Sequence, residues 1–191
     1  MFEWKRRALV GRGASAIVGA AAVLAAADPA TAAATAAAAA QRLLRLPPTS
    51  RLLAIGDLHG DLTAFEEALH IANLARDGEW IGQDATLVQC GDVLDRGDDE
   101  PELLEYIRNL KRGADAAGGR VVTLLGNHEV LNAVGASGPF LSSRGATAFG
   151  ASRAEAFAPG GALASELSSW PVVCVVGDTA FVHAGIVASD A

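Results

Sequence analysis

Cysteine is almost missing from this chain: two residues in 191, Cys90 and Cys174, each inside an apolar run. Two buried thiols are expected there, not a disulfide framework. Basic side chains are scarce where the chain reads as folded. Residues 1–50 carry six Lys and Arg against two Asp and Glu, a balance of +4. Residues 51–191 carry nine against twenty, a balance of −11, which brings the whole chain to −7. An acidic body argues against nucleic acid as a partner. No uncharged run reaches the roughly 20 residues that cross a bilayer. The run at residues 13–27 stops at 15, and much of it is weakly apolar Ala. No stable membrane span is therefore expected. No long-period internal repeat is present either, so a solenoid is not expected. What remains suits one domain with a core of its own, although many of the 51% hydrophobic residues are Ala and bury little area.

Three blocks stand out: Gly56-Asp57-Leu58-His59-Gly60-Asp61, Gly91-Asp92-Val93-Leu94-Asp95-Arg96-Gly97 and Gly126-Asn127-His128-Glu129. Each follows an apolar run that reads as a strand, at residues 52–55, 85–90 and 121–125, and each precedes residues that can open a helix. Asp57, Asp92 and Asn127 are separated by 35 and 35 residues. That spacing accommodates one βαβ unit, which takes roughly 30 residues or more. The blocks should lie at the carboxyl ends of neighbouring strands, the rim where open α/β sheets bind ligands.

Carboxylate, imidazole and amide oxygen on one rim describe a metal site, with borderline first-row metals the expected occupants. Asp57 and His59, two apart in extended chain, face the same way. Asp92 has two oxygens with which to bridge, and Asn127 offers a neutral one. His183, in Phe181-Val182-His183-Ala184-Gly185, ends another strand and can join them. A pair of such metals about 4 Å apart polarises a phosphoryl group and makes a nucleophile of water at neutral pH.

The three blocks resemble the hallmarks GDxHG, GDxxDRG and GNHE of the calcineurin-like metallophosphoesterases. Within that superfamily they are similar to the PPP-type serine/threonine phosphatases, and Asp95-Arg96-Gly97-Asp98-Asp99-Glu100 looks most like the Shewanella-like group. The resemblance covers residues 51–191. It implies an α/β fold, a metallophosphoesterase-type β-sandwich flanked by helices (αββα), of which this chain holds the amino-terminal portion. It implies two divalent metal ions of the Mn, Fe or Zn type, the first held by Asp57 and His59, the second by Asn127 and His183, with Asp92 between them. A hydroxide between the ions attacks phosphorus; His128 protonates the leaving alkoxide, Asp95 orients His128, and Arg96 and Asn127 hold the phosphate. Glu129 braces the loops. The implied substrate is a phosphate monoester, phosphoserine or phosphothreonine in protein. Dinucleoside polyphosphates, other small phosphoesters, or a truncated domain that binds metal or partners without turnover stay open beside it. His-Ala-Gly stands after residue 182 where the family has His-Gly-Gly. Leu125 stands where many eukaryotic members have Arg. A further metal-binding His and a second phosphate-binding Arg are expected from later strands of such enzymes.

Residues 1–47 read as a segment outside the fold. Lys5-Arg6-Arg7, the uncharged run and an Ala/Thr stretch at residues 30–40 have the three-part order of an export signal. Plastid targeting, including to the thylakoid lumen, and twin-arginine bacterial export both suit it; a membrane anchor or an Ala-rich tail are its rivals. Pro47-Pro48-Thr49-Ser50 marks the boundary, so the phosphoesterase-like domain is expected over residues 48–191. Leu62, Phe65, Leu69 and Ala72 predict an amphipathic helix capped by Asp61 or by a Thr63–Glu66 box, with His70 on its surface. Residues 78–82 read as a turn. Leu103, Ile107 and Leu110 predict a second helix opened by Pro101 and closed at Gly118-Gly119. Residues 135–161 have no clean period and read as a short-helix insertion at the rim. Residues 172–176 and 179–183, joined by Gly177-Asp178, predict a β-hairpin that starts a second sheet.

Overall fold

A computed structural model describes residues 43–150 and 152–186. The targeting segment read at residues 1–47 lies outside the described residues up to 42. Its last part does not: Leu43–Leu46 is a strand, β1. The folded sheet therefore begins ahead of the Pro47-Pro48 boundary expected from sequence. The reason is pairing. β1 lies parallel to β7 (Val173–Val176), with Leu44 opposite Cys174 and Leu46 opposite Val176.

The first sheet holds the three strands that precede the blocks. β2 (Leu52–Ile55), β5 (Thr86–Gln89) and β6 (Arg120–Thr123) run parallel in the order β2-β5-β6. Leu53 faces Leu87, and Leu87 faces Val121. Every residue of β5 is buried, as a strand covered on both faces should be. The second sheet, β1-β7-β8, is completed by β8 (Thr179–Val182), antiparallel to β7 across Gly177-Asp178 as expected. Residues 75–80 depart from expectation. The turn is narrower and flanked by two short strands, β3 (Ala75–Arg76) and β4 (Glu79–Trp80). Asp77 and Gly78, both at positive φ (51° and 81°), make the two-residue link such a hairpin requires.

Two cores follow. One lies between the sheets: Val88, Val122, Leu124, Cys174 and Val176, with Leu44, Leu46, Leu52 and Phe181 packed around them. The other lies between the first sheet and helices. Helix α1 (Leu62–Ile71) buries Phe65 and Leu69, leaves His70 exposed, and starts where the Asp61 carboxylate accepts the Ala64 N–H at 2.9 Å. Helix α2 (Glu100–Ala116) buries Leu103, Leu104, Ile107, Leu110 and Ala114, with Pro101 in its first turn. Helix α3 (Asn127–Ala133) opens directly on the third block. The rim insertion is helical in short pieces: a 3-10 turn (Gly138–Phe140), α4 (Ser143–Thr147) and α5 (Arg153–Phe157). Ser142 and Ser152 cap the last two through their hydroxyls. Helix α6 (Ala162–Ser168) adds Leu163 and Leu167 to the helical core. The described residues thus form helix, sheet and sheet, three of the four layers in an αββα arrangement. No described helix is long and apolar enough to cross a membrane. Both cysteines are free, and burial pushes their thiols above the usual range.

Candidate metal centre

Parallel pairing brings the three blocks to one rim. Cys90 N–H donates to Ile55 O and Leu124 N–H to Gln89 O, so the sheet ends in step. The glycines then let the loops close on one another. A Cβ on Gly126 would strike the backbone and carboxylate of Asp92, and one on Gly97 would strike His59 O. Four residues of the blocks, His59, Asp92, Asp95 and Arg96, hold positive φ between 48° and 71°. Such strain persists only where the surroundings fix it.

Glu129 does much of that fixing. Its carboxylate is fully buried and accepts four backbone N–H groups: Asp92 at 2.9 Å, Gly126 at 2.7 Å, Val93 at 2.9 Å and Leu94 at 3.2 Å. Burial pushes its acid form up from the ordinary carboxylate range, against the pull of those N–H donors. The second and third blocks are thereby stitched together through one side chain.

The remaining ligand atoms face one another across the rim. His59 Nδ1 donates to Leu94 O at 2.9 Å, and His183 Nδ1 to Cys90 O at 2.9 Å. Each ring therefore turns an Nε2 lone pair into the site. Those lone pairs meet Asp92 Oδ2 at 3.7 and 3.4 Å. Asp57 Oδ2 is 3.8 Å from His59 Nε2, and Asn127 Oδ1 is 2.9 Å from His183 Nε2. Asp92 Oδ1 is already engaged by the His128 N–H at 2.9 Å, so Oδ2 alone lies between the two imidazoles. At Asp57 and Asp92 a carboxylate oxygen faces an imidazole lone pair, an arrangement that cations balance and neutral protein does not. Two sets of ligand atoms lie within metal-binding reach, Asp57-Asp92-His183 and His59-Asp92-His128, sharing Asp92.

Beside them is a second, donor-saturated cluster. His128, 2% exposed, places Nδ1 2.6 Å from Asp95 Oδ2. Asp95 Oδ1 accepts from Asn132 and from Arg153, each at 2.9 Å. Arg153 also pairs with Glu100 at 2.7 and 2.8 Å. Arg96 is exposed and makes no side-chain hydrogen bond or ion pair among the described residues; its backbone N–H donates to Phe140 O. The structure thus brings Asp57, His59, Asp92, Asn127 and His183 to one place, with His128 and Asp95 next to it and Arg96 one residue along. Sequence reading missed Arg153, Glu100 and Asn132. Asn132 carried a signal, being one helical turn beyond His128. Arg153 carried none, because it lies in the stretch without periodicity.

The model of the family "Calcineurin-like phosphoesterase" matches residues 50–190. The chain belongs to that family. Members use divalent metals, and this phosphoesterase has ligand groups at suitable spacing. It is similar to Shewanella-like protein phosphatase 2 of Arabidopsis thaliana, 48% identical over 92 residues that cover 48% of this chain and 24% of that one. It is also similar to Shewanella-like protein phosphatase 1 of Plasmodium berghei, 38% identical over 86 residues, 44% of this chain and 24% of the other. The chain spans about a quarter of the length of these relatives. Among solved structures, the cold-active protein-tyrosine phosphatase of a psychrophilic Shewanella shares its fold with a TM-score of 0.69 at 23% identity, over 78% of this chain and 47% of that one. A Saccharomyces cerevisiae serine/threonine phosphatase matches with a TM-score of 0.50 at 18% identity, over 77% and 44%.

Proposed function

We propose that this phosphoesterase is the amino-terminal portion of a metal-dependent phosphatase that hydrolyses phosphate monoesters in proteins. The observation that supports this best is the pocket of Asp57, His59, Asp92, Asn127 and His183, where carboxylate oxygens face imidazole lone pairs, beside the His128–Asp95 pair. The relatives' names, protein phosphatases, support the protein substrate. Asp57 and His59 would hold one divalent cation and Asn127 and His183 a second, and Asp92 would serve both. Bound there, cations of the Mn, Fe or Zn type supply Lewis-acid polarisation of phosphoryl oxygens and acidify the attacking water.

The chain's own residues do the rest. Arg96, its guanidinium without a side-chain partner among the described residues, presents a planar fork to phosphate oxygens, and Asn127 can add an amide contact. The water oxygen bonds phosphorus as the bond to the leaving oxygen breaks. His128, held at Nδ1 by Asp95, gives its Nε2 proton to that departing oxygen, so alcohol and inorganic phosphate leave. General acid help of this kind contributes about 10²–10⁴-fold. The order of charge and small residues in residues 1–42 supports export or plastid targeting of this portion; sequencing the mature amino terminus tests it, and a retained Met1 would refute it.

The deciding assay gives the 191-residue chain manganese and offers an aryl phosphate, a phosphoserine peptide and a dinucleoside polyphosphate. Hydrolysis of the first two, lost in Asp92→Asn, is expected. Cleavage of the polyphosphate alone would move the substrate to small phosphoesters. Stoichiometric metal uptake with no hydrolysis would leave a binding domain.

A further inference from the structure

The proton donor is held by more than its aspartate. We infer that Arg153, delivered by the rim insertion, is a positioning residue that fixes how Asp95 presents its carboxylate to His128. This rests on the phosphatase reading for its kinetic meaning but not for its geometry.

All five N–H bonds of the guanidinium find acceptors. Nε donates to Asn132 Oδ1 at 2.9 Å. Nη1 donates to Glu100 Oε2 at 2.7 Å and to Gly145 O at 2.9 Å. Nη2 donates to Asp95 Oδ1 at 2.9 Å and to Glu100 Oε1 at 2.8 Å. The group is nine-tenths buried, with the Phe149 and Phe157 rings each 5.1 Å from its centre. Asp95 is held at both ends as a result. Glu100 accepts its backbone N–H at 2.7 Å, Arg153 and Asn132 occupy Oδ1, and Oδ2 is left for His128 alone. Two fully buried carboxylates, Asp95 and Glu100, share this one guanidinium. A lysine, a point charge on a flexible stem, cannot span Asp95, Glu100 and Asn132 at once. The helical pieces at residues 138–157 therefore do more than border the site: Arg153, Phe140 O and the Ser142 hydroxyl tie the insertion to the loop that carries Asp95 and Arg96.

A donor held in place matters most when the leaving oxygen is basic. A nitrophenolate departs without a proton; the alkoxide of serine does not. Arg153→Lys should lower kcat/KM about 10- to 100-fold on a phosphoserine peptide, a share of what general acid help supplies, with a clearly smaller loss on 4-nitrophenyl phosphate. Equal losses on the two esters, or none, would overturn the inference. A readout without turnover accompanies it. In the metal-free chain labelled with ¹⁵N-histidine, the His128 Nδ1–H resonance should move or broaden in the variant. The Nδ1–H signals of His59 and His183, bonded to backbone carbonyls, should stay. A His128 signal unchanged from wild type refutes the positioning role. If Arg153→Lys does not fold, Asn132→Ala carries both measurements, since it removes one donor to Asp95 Oδ1 and leaves the ion pairs. If the unaltered chain hydrolyses neither ester, the phosphatase reading fails, and the histidine spectrum still decides whether Arg153 sets His128.

Discussion

Glu129→Gln changes one atom and should unpick the junction of two loops. The native carboxylate accepts N–H groups from Asp92, Val93, Leu94 and Gly126, two on each oxygen. Glutamine keeps one oxygen. Whichever way the amide turns, two N–H donors face an NH₂ group. Hydrogen bonds to a charged group contribute about 1.5–3 kcal/mol each, so the gross loss is about 3–6 kcal/mol. Burying a neutral amide instead of a carboxylate that burial already disfavours offsets part of it. A net loss of about 3 kcal/mol is expected by that hydrogen-bond scale, against the roughly 5–15 kcal/mol that holds an ordinary domain together. For a domain of this size it should lower Tm by about 6–12 °C. Thermal unfolding followed through the buried Trp170 measures it. Glu105→Gln, at an exposed carboxylate paired with Arg108, should leave Tm where it was. Metal titration completes the assay: with residues 92–94 released, Asp92 loses its aim and uptake should weaken even at temperatures where the variant is folded. A fall in Tm of less than about 2 °C would refute the reasoning, because it would mean the two N–H bonds lost contribute under about 1 kcal/mol together.

Asp92→Asn should abolish uptake of metal at both positions while the fold survives, since only Oδ2 faces the two imidazoles; calorimetric metal titration checks it. Arg96→Lys should raise KM for phosphoserine peptide about tenfold, the value of roughly 1.4 kcal/mol for a lost bidentate contact, without moving Tm. A chain starting at residue 48 should be less stable than one starting at 42 by about 2–3 kcal/mol in urea unfolding, because Leu44 and Leu46 leave the inter-sheet core. Lys111 gives a pH test. Burial holds its ammonium below the usual lysine range, with the Trp170 ring 5.2 Å from it. The folded chain sheds this proton before the unfolded chain does, so stability from this group appears as pH climbs through the lowered value and is complete above the ordinary one. Wild type should gain on Lys111→Met across that alkaline window, and parallel stability curves would contradict it.

Much of this was legible in the residues. The 35-residue spacing reported parallel strands, because a crossover has a minimum length, and the strands at 52–55, 86–89 and 120–123 pair as that requires. The cluster of Asp57, His59, Asp92, Asn127 and His183 was legible because those residue types are rare together. What escaped depended on tertiary contact. Leu43–Leu46 sits between an Ala-rich run and two prolines, and only the partner β7, some 130 residues later, makes it a strand. Trp80 lies in a two-residue strand too short for any period. Arg153 stands among Ala, Gly and Ser, where neither composition nor spacing shows that five acceptors converge on it.

Acidity alone does not separate the carboxylates of this rim; the count of donors does. Glu129 accepts four backbone N–H groups. Glu100 takes Asp95 N–H and both ends of Arg153, and Asp95 takes Arg153, Asn132 and His128. Their negative charge is answered within the protein, and burial is tolerable for that reason. Asp92 is answered on one oxygen only, and Asp57, half exposed, accepts no hydrogen bond among the described residues. Those two are also the carboxylates that face imidazole lone pairs. The fold thus divides the acids of one rim by how many N–H groups it delivers to each: the saturated ones shape the loops, and the unsaturated ones, Asp57 and Asp92, belong to the candidate ligand groups.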